Sequence, residues 1–156
     1  MSSPAITVTN LNRRHSLNAP FIKKLISKLL IKEKKGFELE VVFLDNQAMR
    51  SINRRYRGED RPTDVLSFKM GMEVFGVKDR LLGEVLVSSD MASRNAKIFQ
   101  STFEKEIMRY VVHGILHLFG HKDRTKDEKL RMSGKENRIL KNLCRNEDLS
   151  RVSTPR

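Results

Sequence analysis

Apolar and polar positions along this chain repeat with two different periods, and the switches between them mark its elements. Ile6 and Val8 alternate with polar neighbours, the period-two signature of a strand near the start. From Phe21 the period lengthens: Phe21, Ile22, Leu25, Ile26, Leu29 and Leu30 keep apolar pairs four apart, which predicts a helix capped by Asn18, with Pro20 in its first turn and Gly36 ending it. Phe37, Leu39, Val41 and Phe43 then alternate with Glu38, Glu40 and Val42, the clearest strand in the chain, with one side more buried than the other. Asp45 is placed to cap a short helix whose Met49, Ile52 and Tyr56 face inward.

The polar run RGEDRPTD, broken by Gly58 and Pro62, reads as a loop. Val65 to Phe68 and Glu84 to Val87 read as two strands, joined by a variable connection that contains Gly71, Gly76 and Gly83. Ser88 or Ser89 opens a helix to about Phe99, and Ser101 with Glu104 makes a capping-box pattern for the next. Phe103, Ile107, Tyr110, Val111 and Leu118 supply the inward stripe of that helix up to Gly120. Thr125 with Glu128 repeats the capping box and starts a last helix through Leu130, Ile139, Leu140 and Leu143. The pattern contains no internal repeat and no second domain, so residues 1–148 are expected to form one domain and 149–156 a flexible polar tail.

Composition agrees with a globular chain: 156 residues, 38% hydrophobic and 32% charged, with 8 Gly and 4 Pro. That length buries a real core without cross-links. Charge adds a partner class. The 31 Lys and Arg against 19 Asp and Glu leave a formal +12, which attracts polyanions, although charge of this size also simply keeps a protein in solution. Its placement favours an anionic ligand: Arg50, Arg54, Arg55, Arg57 and Arg61 crowd one segment, and Lys122, Arg124 and Lys126 follow a histidine run.

Cys144 is the one cysteine, so no intrachain disulfide forms, and it is expected as a small apolar residue on the last helix. No apolar run approaches the roughly 20 residues that span a bilayer, and the start lacks the apolar core of a secretory signal. Glu33 is the first acidic residue, and an acid-poor, Arg-containing start also suits a transit peptide, but the alternation at Ile6 and Val8 favours a structural segment. A cytoplasmic protein with no membrane contact is expected.

The candidate chemistry lies in the run HGILHLFGHKD. Residues four apart on a helix differ by about 40° in azimuth, so His113 and His117 project side by side and can share one metal ion. The plainer alternative is a His pair on a polar helix face, hydrogen-bonded to neighbours or water. A glycine break followed by further ligand-type residues favours the metal. If the helix continues through Gly120, His121 can supply a third ligand; if the chain turns there, Asp123 can. Glycine is a preferred helix stop and carboxylate oxygen an accepted zinc ligand, which favours Asp123 and keeps His121 as the rival. Three protein ligands leave a fourth position open, as in catalytic sites. Where metallopeptidases of the H-E-x-x-H type carry their glutamate base, this chain has Gly114, which weakens a peptidase reading.

These residues resemble the YbeY family of metal-dependent endoribonucleases, whose helix reads H-G-x-x-H-L-x-G followed shortly by a third His. His113, Gly114, His117, Leu118 and Gly120 match, as do INRRYRGEDRPTDVLSF from Ile52 to Phe68 and GEVLVS from Gly83. The resemblance covers nearly the whole domain. It departs at the third ligand, where the family's usual His stands six residues after the second and this chain has Asp123.

The resemblance implies an α+β fold: a small mixed sheet packed with about five helices around a zincin-like metal-binding helix. It implies single-strand-specific RNA cleavage in maturation of ribosomal RNA, at the 3′ end of the small-subunit RNA, and in ribosome quality control. One zinc ion per chain is the expected cofactor, though two His and a carboxylate accept other first-row divalent metals. Arg57 matches the family's functional arginine and would hold a phosphate or stabilise charge developing on it. Thr63, Asp64 and Ser67 are ranked as turn and strand residues rather than site residues. Two rival functions are a zincin-like metallopeptidase and a non-catalytic RNA-binding ribosome-assembly factor.

Overall fold

A computed structural model describes residues 5–31, 36–70 and 80–155, and of residues 36, 37, 70 and 80–82 the backbone alone. Four strands form one mixed sheet, β1 (Ala5–Asn10), β2 (Gly36–Leu44), β3 (Val65–Met70) and β4 (Arg80–Ser88), in the order β1-β2-β4-β3. β2 runs parallel to both neighbours, with Val41 opposite Val8 on one side and Val85 on the other, while β3 pairs antiparallel to β4. The helices are α1 (Ala19–Leu30), α2 (Asn46–Arg57), α3 (Ser89–Ile98), α4 (Phe103–Leu118) and α5 (Lys126–Asn146).

The alternation along β2 decides the layers. Leu39, Val41 and Phe43 join Val85, Val87 and the apolar residues of α1 and α4 in the main core. Val42 and Leu44 face the other way and pack with Met49 of α2, Leu66 and Leu86. The sheet is therefore buried on both faces, by α1 and α4 on one and α2 on the other, which explains why the less buried side of that strand is apolar at Val42. Removal of each fully buried side chain such as Phe43 or Ile107 from water contributes about 1.5–3 kcal/mol.

α4 is more central than a single stripe implies. Besides Ile107, Tyr110, Val111 and Leu118, it buries Met108, Val112, Ile115 and Leu116. Val112 and Leu116 meet Met132 of α5, so α4 lies between the sheet and α5. Its approach to the sheet rests on two glycines. A Cβ on Gly114 would stand 2.4 Å from Val85 Cγ1, and one on Gly83 would stand 2.6 Å from Leu118 Cδ1.

Several local expectations hold, with caps supplied by Asn18, Asp45, Ser88 and the Thr125–Glu128 capping box. Others need correction. α1 stops at Leu30, and Gly36 opens β2 rather than ending the helix. Tyr56 is 64% exposed, packing edge-on against Phe68 at 5.3 Å. Leu130, on the first turns of α5, is likewise 64% exposed, and Cys144 is exposed too.

Ser101 does not cap α4. Gln100 takes a positive φ of 52°, which turns the Ser101 N–H back to the Ala96 carbonyl, and Thr102 receives the Lys105 N–H instead. Where a free tail was expected from residue 149, Leu149–Val152 form a 3-10 turn with Val152 fully buried. The Val152 carbonyl accepts the Asn18 N–H at 2.8 Å, which ties that turn to the start of α1. The connection holding Gly71 and Gly76 lies outside the described residues. No described helix is long and apolar enough to cross a membrane.

Candidate metal centre

His113 and His117 occupy adjacent turns of α4, which ends immediately after them in a glycine-dependent turn. The His121 N–H reaches back to Leu116 O at 3.1 Å and the Gly120 N–H to His117 O at 2.9 Å, with Gly120 at φ +93°. This pairing is the Schellman arrangement, and it needs a residue without Cβ at the left-handed position. It sends the chain back across the helix end. The turn therefore excludes a further helical repeat at His121 and carries Asp123 over the histidine pair.

His113, His117 and Asp123 each offer one donor atom, all within 4.8 Å of one another. The two Nε2 atoms are 3.0 Å apart, and Asp123 Oδ2 lies 3.5 Å from His113 Nε2 and 3.3 Å from His117 Nε2. Ligands around a tetrahedral zinc ion with bonds near 2.0–2.1 Å stand about 3.3 Å from each other, so the triangle already has that size.

Hydrogen bonds on the far side of each ring fix what faces inward. His117 Nδ1 donates to the His121 carbonyl at 2.9 Å, and a carbonyl can only accept. His113 Nδ1 meets Glu136 Oε2 at 2.7 Å. In the tautomer that carries its proton on Nδ1, each ring turns an Nε2 lone pair towards the other ring and towards a carboxylate oxygen. Such a cluster repels itself unless a cation or an added proton sits among the donors. Burial pushes the His113 pKa down, but the hydrogen bond and charge of Glu136, with Asp64 and Asp123, outweigh it and raise the value above the ordinary one. The side chains of His113 and His117 are 23% and 29% exposed, which leaves the centre open to solvent on one side.

His121 is placed differently. Its ring Nε2 faces Lys135 Nζ at 3.3 Å, away from the pair, and only its carbonyl serves the centre. Burial, Lys135 and His117 all lower its pKa. Gly114 now has a physical reason as well. A glutamate there would drive its Cβ into Val85, and the Gly114 carbonyl accepts the Ser67 hydroxyl at 2.9 Å, locking α4 to β3.

Arg57 is the exposed last residue of α2, and among the described residues no hydrogen bond or ion pair joins it to any of these three. Arg50 and Arg54 pair with Asp60, and Arg61 pairs with Glu59, whereas Arg57 has no ion pair among the described residues. Asp64 lies close enough to His113 and Tyr110 for its charge to raise both their pKa values. Lys122, Arg124 and Lys126 are exposed beside the centre.

Sequence reasoning missed Glu136. A signal existed: it interrupts the apolar stripe Met132, Leu140 and Leu143, all buried on α5, and is itself only 7% exposed. A charged residue at a core position of a helix needs a partner, and His113 is that partner.

Comparison with known proteins bears on most of the chain. A family model described as Endoribonuclease YbeY matches residues 7–144. Proteins named Endoribonuclease YbeY from Bacillus thuringiensis (strain Al Hakam) and Bacillus anthracis are 38% identical over 128 residues, covering 76% of this chain and 82% of theirs. The solution structure of TM1509 from Thermotoga maritima is similar with a TM-score of 0.62 at 28% identity, covering 93% of this chain and 95% of that one.

Proposed function

The chain belongs to the endoribonuclease YbeY family, and on that premise we propose that it cuts single-stranded RNA at a divalent metal held by His113, His117 and Asp123. Its relatives are named as endoribonucleases, so it is a hydrolase and RNA is its substrate class. The observation that supports the metal set is the convergence of two Nε2 atoms and Asp123 Oδ2 within 3.0–3.5 Å, with both Nδ1 atoms engaged behind them. Two imidazoles and a carboxylate suit zinc, and also other first-row divalent ions.

A bound ion would supply Lewis-acid polarisation of a phosphoryl oxygen and a lowered pKa for water. The chain's own residues do the rest. Glu136 and the His121 carbonyl hold the imidazoles in register, and the solvent-facing side admits a phosphodiester. Arg57, which has no ion pair among the described residues, binds phosphate on the substrate. Lys122, Arg124 and Lys126 add sequence-independent attraction that weakens with salt. The site is proposed to act in the cytoplasm on ribosomal RNA, at the 3′ end of the small-subunit RNA, with the small ribosomal subunit as partner and a part in ribosome quality control.

The metallopeptidase alternative is not favoured, since packing of Gly114 on Val85 leaves no room for the glutamate base at its usual place. A purely structural assembly factor is not favoured either, given relatives named as nucleases. The test compares RNA cleavage by protein stripped with a chelator and by the same protein reloaded with zinc or manganese. Cleavage of single-stranded RNA that disappears and returns supports the reading, and equal cleavage in both states refutes it.

A further inference from the structure

A groove of about 780 Å³ runs between α4 and α5 with the end of α1 along its side, outside the metal centre but joined to it at His121. Its two walls differ in chemistry. Lys135, Arg138, Asn142 and Asn146 line it from α5 at helical spacings of three and four, so their donors form one row along a single face of that helix. From Lys135 to Asn146 this row extends for about 16 Å at 1.5 Å per residue. The floor is apolar: Leu116 of α4 is buried, while Phe119 and Ile139 remain partly exposed.

Cationic side chains outnumber acidic ones among the residues that line the groove. Among the described residues, the one carboxylate that lines it, Glu147, is paired with Lys28, which leaves Lys135 and Arg138 without an acidic partner there. A cationic and amide-bearing ridge over an apolar floor matches a single nucleic-acid strand, whose phosphates take the ridge and whose base faces take the floor. The groove also leads to the chemistry. His121 lines its end, receives Lys135 on its ring, and accepts the His117 Nδ1 proton on its carbonyl.

We infer that this groove is a subsite for single-stranded RNA, holding the few nucleotides that lead away from the phosphodiester at the metal. The inference rests on the endoribonuclease reading above and extends it from the reacting bond to the strand beside it. Lys135 and Arg138 contact backbone phosphates, Asn142 and Asn146 meet base edges, and Phe119 with Ile139 supports a base face.

The test measures binding of a fluorescein-labelled oligouridylate by anisotropy across a salt series, for the full chain and for Arg138→Ala, Lys135→Ala with Arg138→Ala, and Asn142→Trp, which fills the groove. Melting temperature and metal content of each variant check that the fold and the centre persist. The double variant is expected to lose about tenfold in affinity, with the slope of log affinity against log salt reduced by about 0.7 per cation removed. Asn142→Trp is expected to weaken binding without changing that slope. Unchanged affinity in folded variants, with the unsubstituted chain binding and cutting RNA, overturns the groove alone. An unsubstituted chain that neither binds nor cuts RNA overturns the endoribonuclease reading and the groove with it.

Discussion

Glu136 Oε2 lies 2.7 Å from His113 Nδ1, although 23 residues and a complete turn of the chain separate them. The contact joins α5 to α4 at the candidate metal centre and sets which ring nitrogen of His113 faces inward. Partners of this kind fix ring orientation and raise ligand basicity.

Removal of that partner should weaken the centre without dismantling it. Glu136→Ala is expected to lower zinc affinity by about 10- to 100-fold, with Glu136→Gln in between because it keeps a hydrogen-bond acceptor. Competition against a chromophoric chelator reads the affinity directly. Unchanged affinity in both variants would mean that His113 is oriented by the helix alone.

Gly114 and Gly134 make a matched pair of opposite sign. Gly114→Ala puts a Cβ 2.4 Å from Val85 Cγ1 in the packed contact between α4 and β4, whereas Gly134, within α5, has nothing within 4 Å. The first change is expected to cost about 1–3 kcal/mol through overpacking. The second should stabilise by about 0.5–1 kcal/mol, the gain of alanine over glycine in a helix. Urea unfolding of the two variants checks both signs, and a tolerated Gly114→Ala would contradict the close approach.

Asp90 gives the fold an acid limit. Burial opposes its charge, but donors from Asn12, the Asn46 N–H and His15, with the charge of Arg14, outweigh it and hold the carboxyl below its ordinary range. A depressed folded pKa means that the stabilisation is complete above the unfolded value of about 3.9 and is lost as pH falls through the folded value. Asp90→Asn should therefore be less stable than the parent at pH 7, with the gap closing below about pH 4. Denaturation midpoints at pH 7, 5 and 3 measure this, and a gap independent of pH would rule it out.

What was legible in the sequence was local. The periods placed β2, α1 and α4, and the caps at Asn18, Asp45 and Thr125 operate within four residues of themselves. The stop at Gly120 also decided where the chain turns, hence why Asp123 and not the His121 ring reaches the histidine pair. What escaped was set by tertiary contacts. The cap moved from Ser101 to Thr102 because Gln100 turns the chain back onto Ala96. Burial of Val152 depends on its pairing with the start of α1, and Glu136 matters only because α5 crosses α4 beside His113. Gly114 looked like the loss of a catalytic base, and the contact with Val85 shows it as a packing requirement.

On the proposed reading, His113, His117 and Asp123 together hold the ion that RNA cleavage needs. Its most direct test is metal content after dialysis, measured beside single-stranded RNA cleavage, for His113→Ala, His117→Ala, Asp123→Ala and His121→Ala. The first three are expected to lose bound metal and cleavage together. His121→Ala should keep its metal, because its backbone carbonyl and not its ring serves His117. Retention of metal and activity in Asp123→Ala, with their loss in His121→Ala, would make His121 and not Asp123 the third ligand.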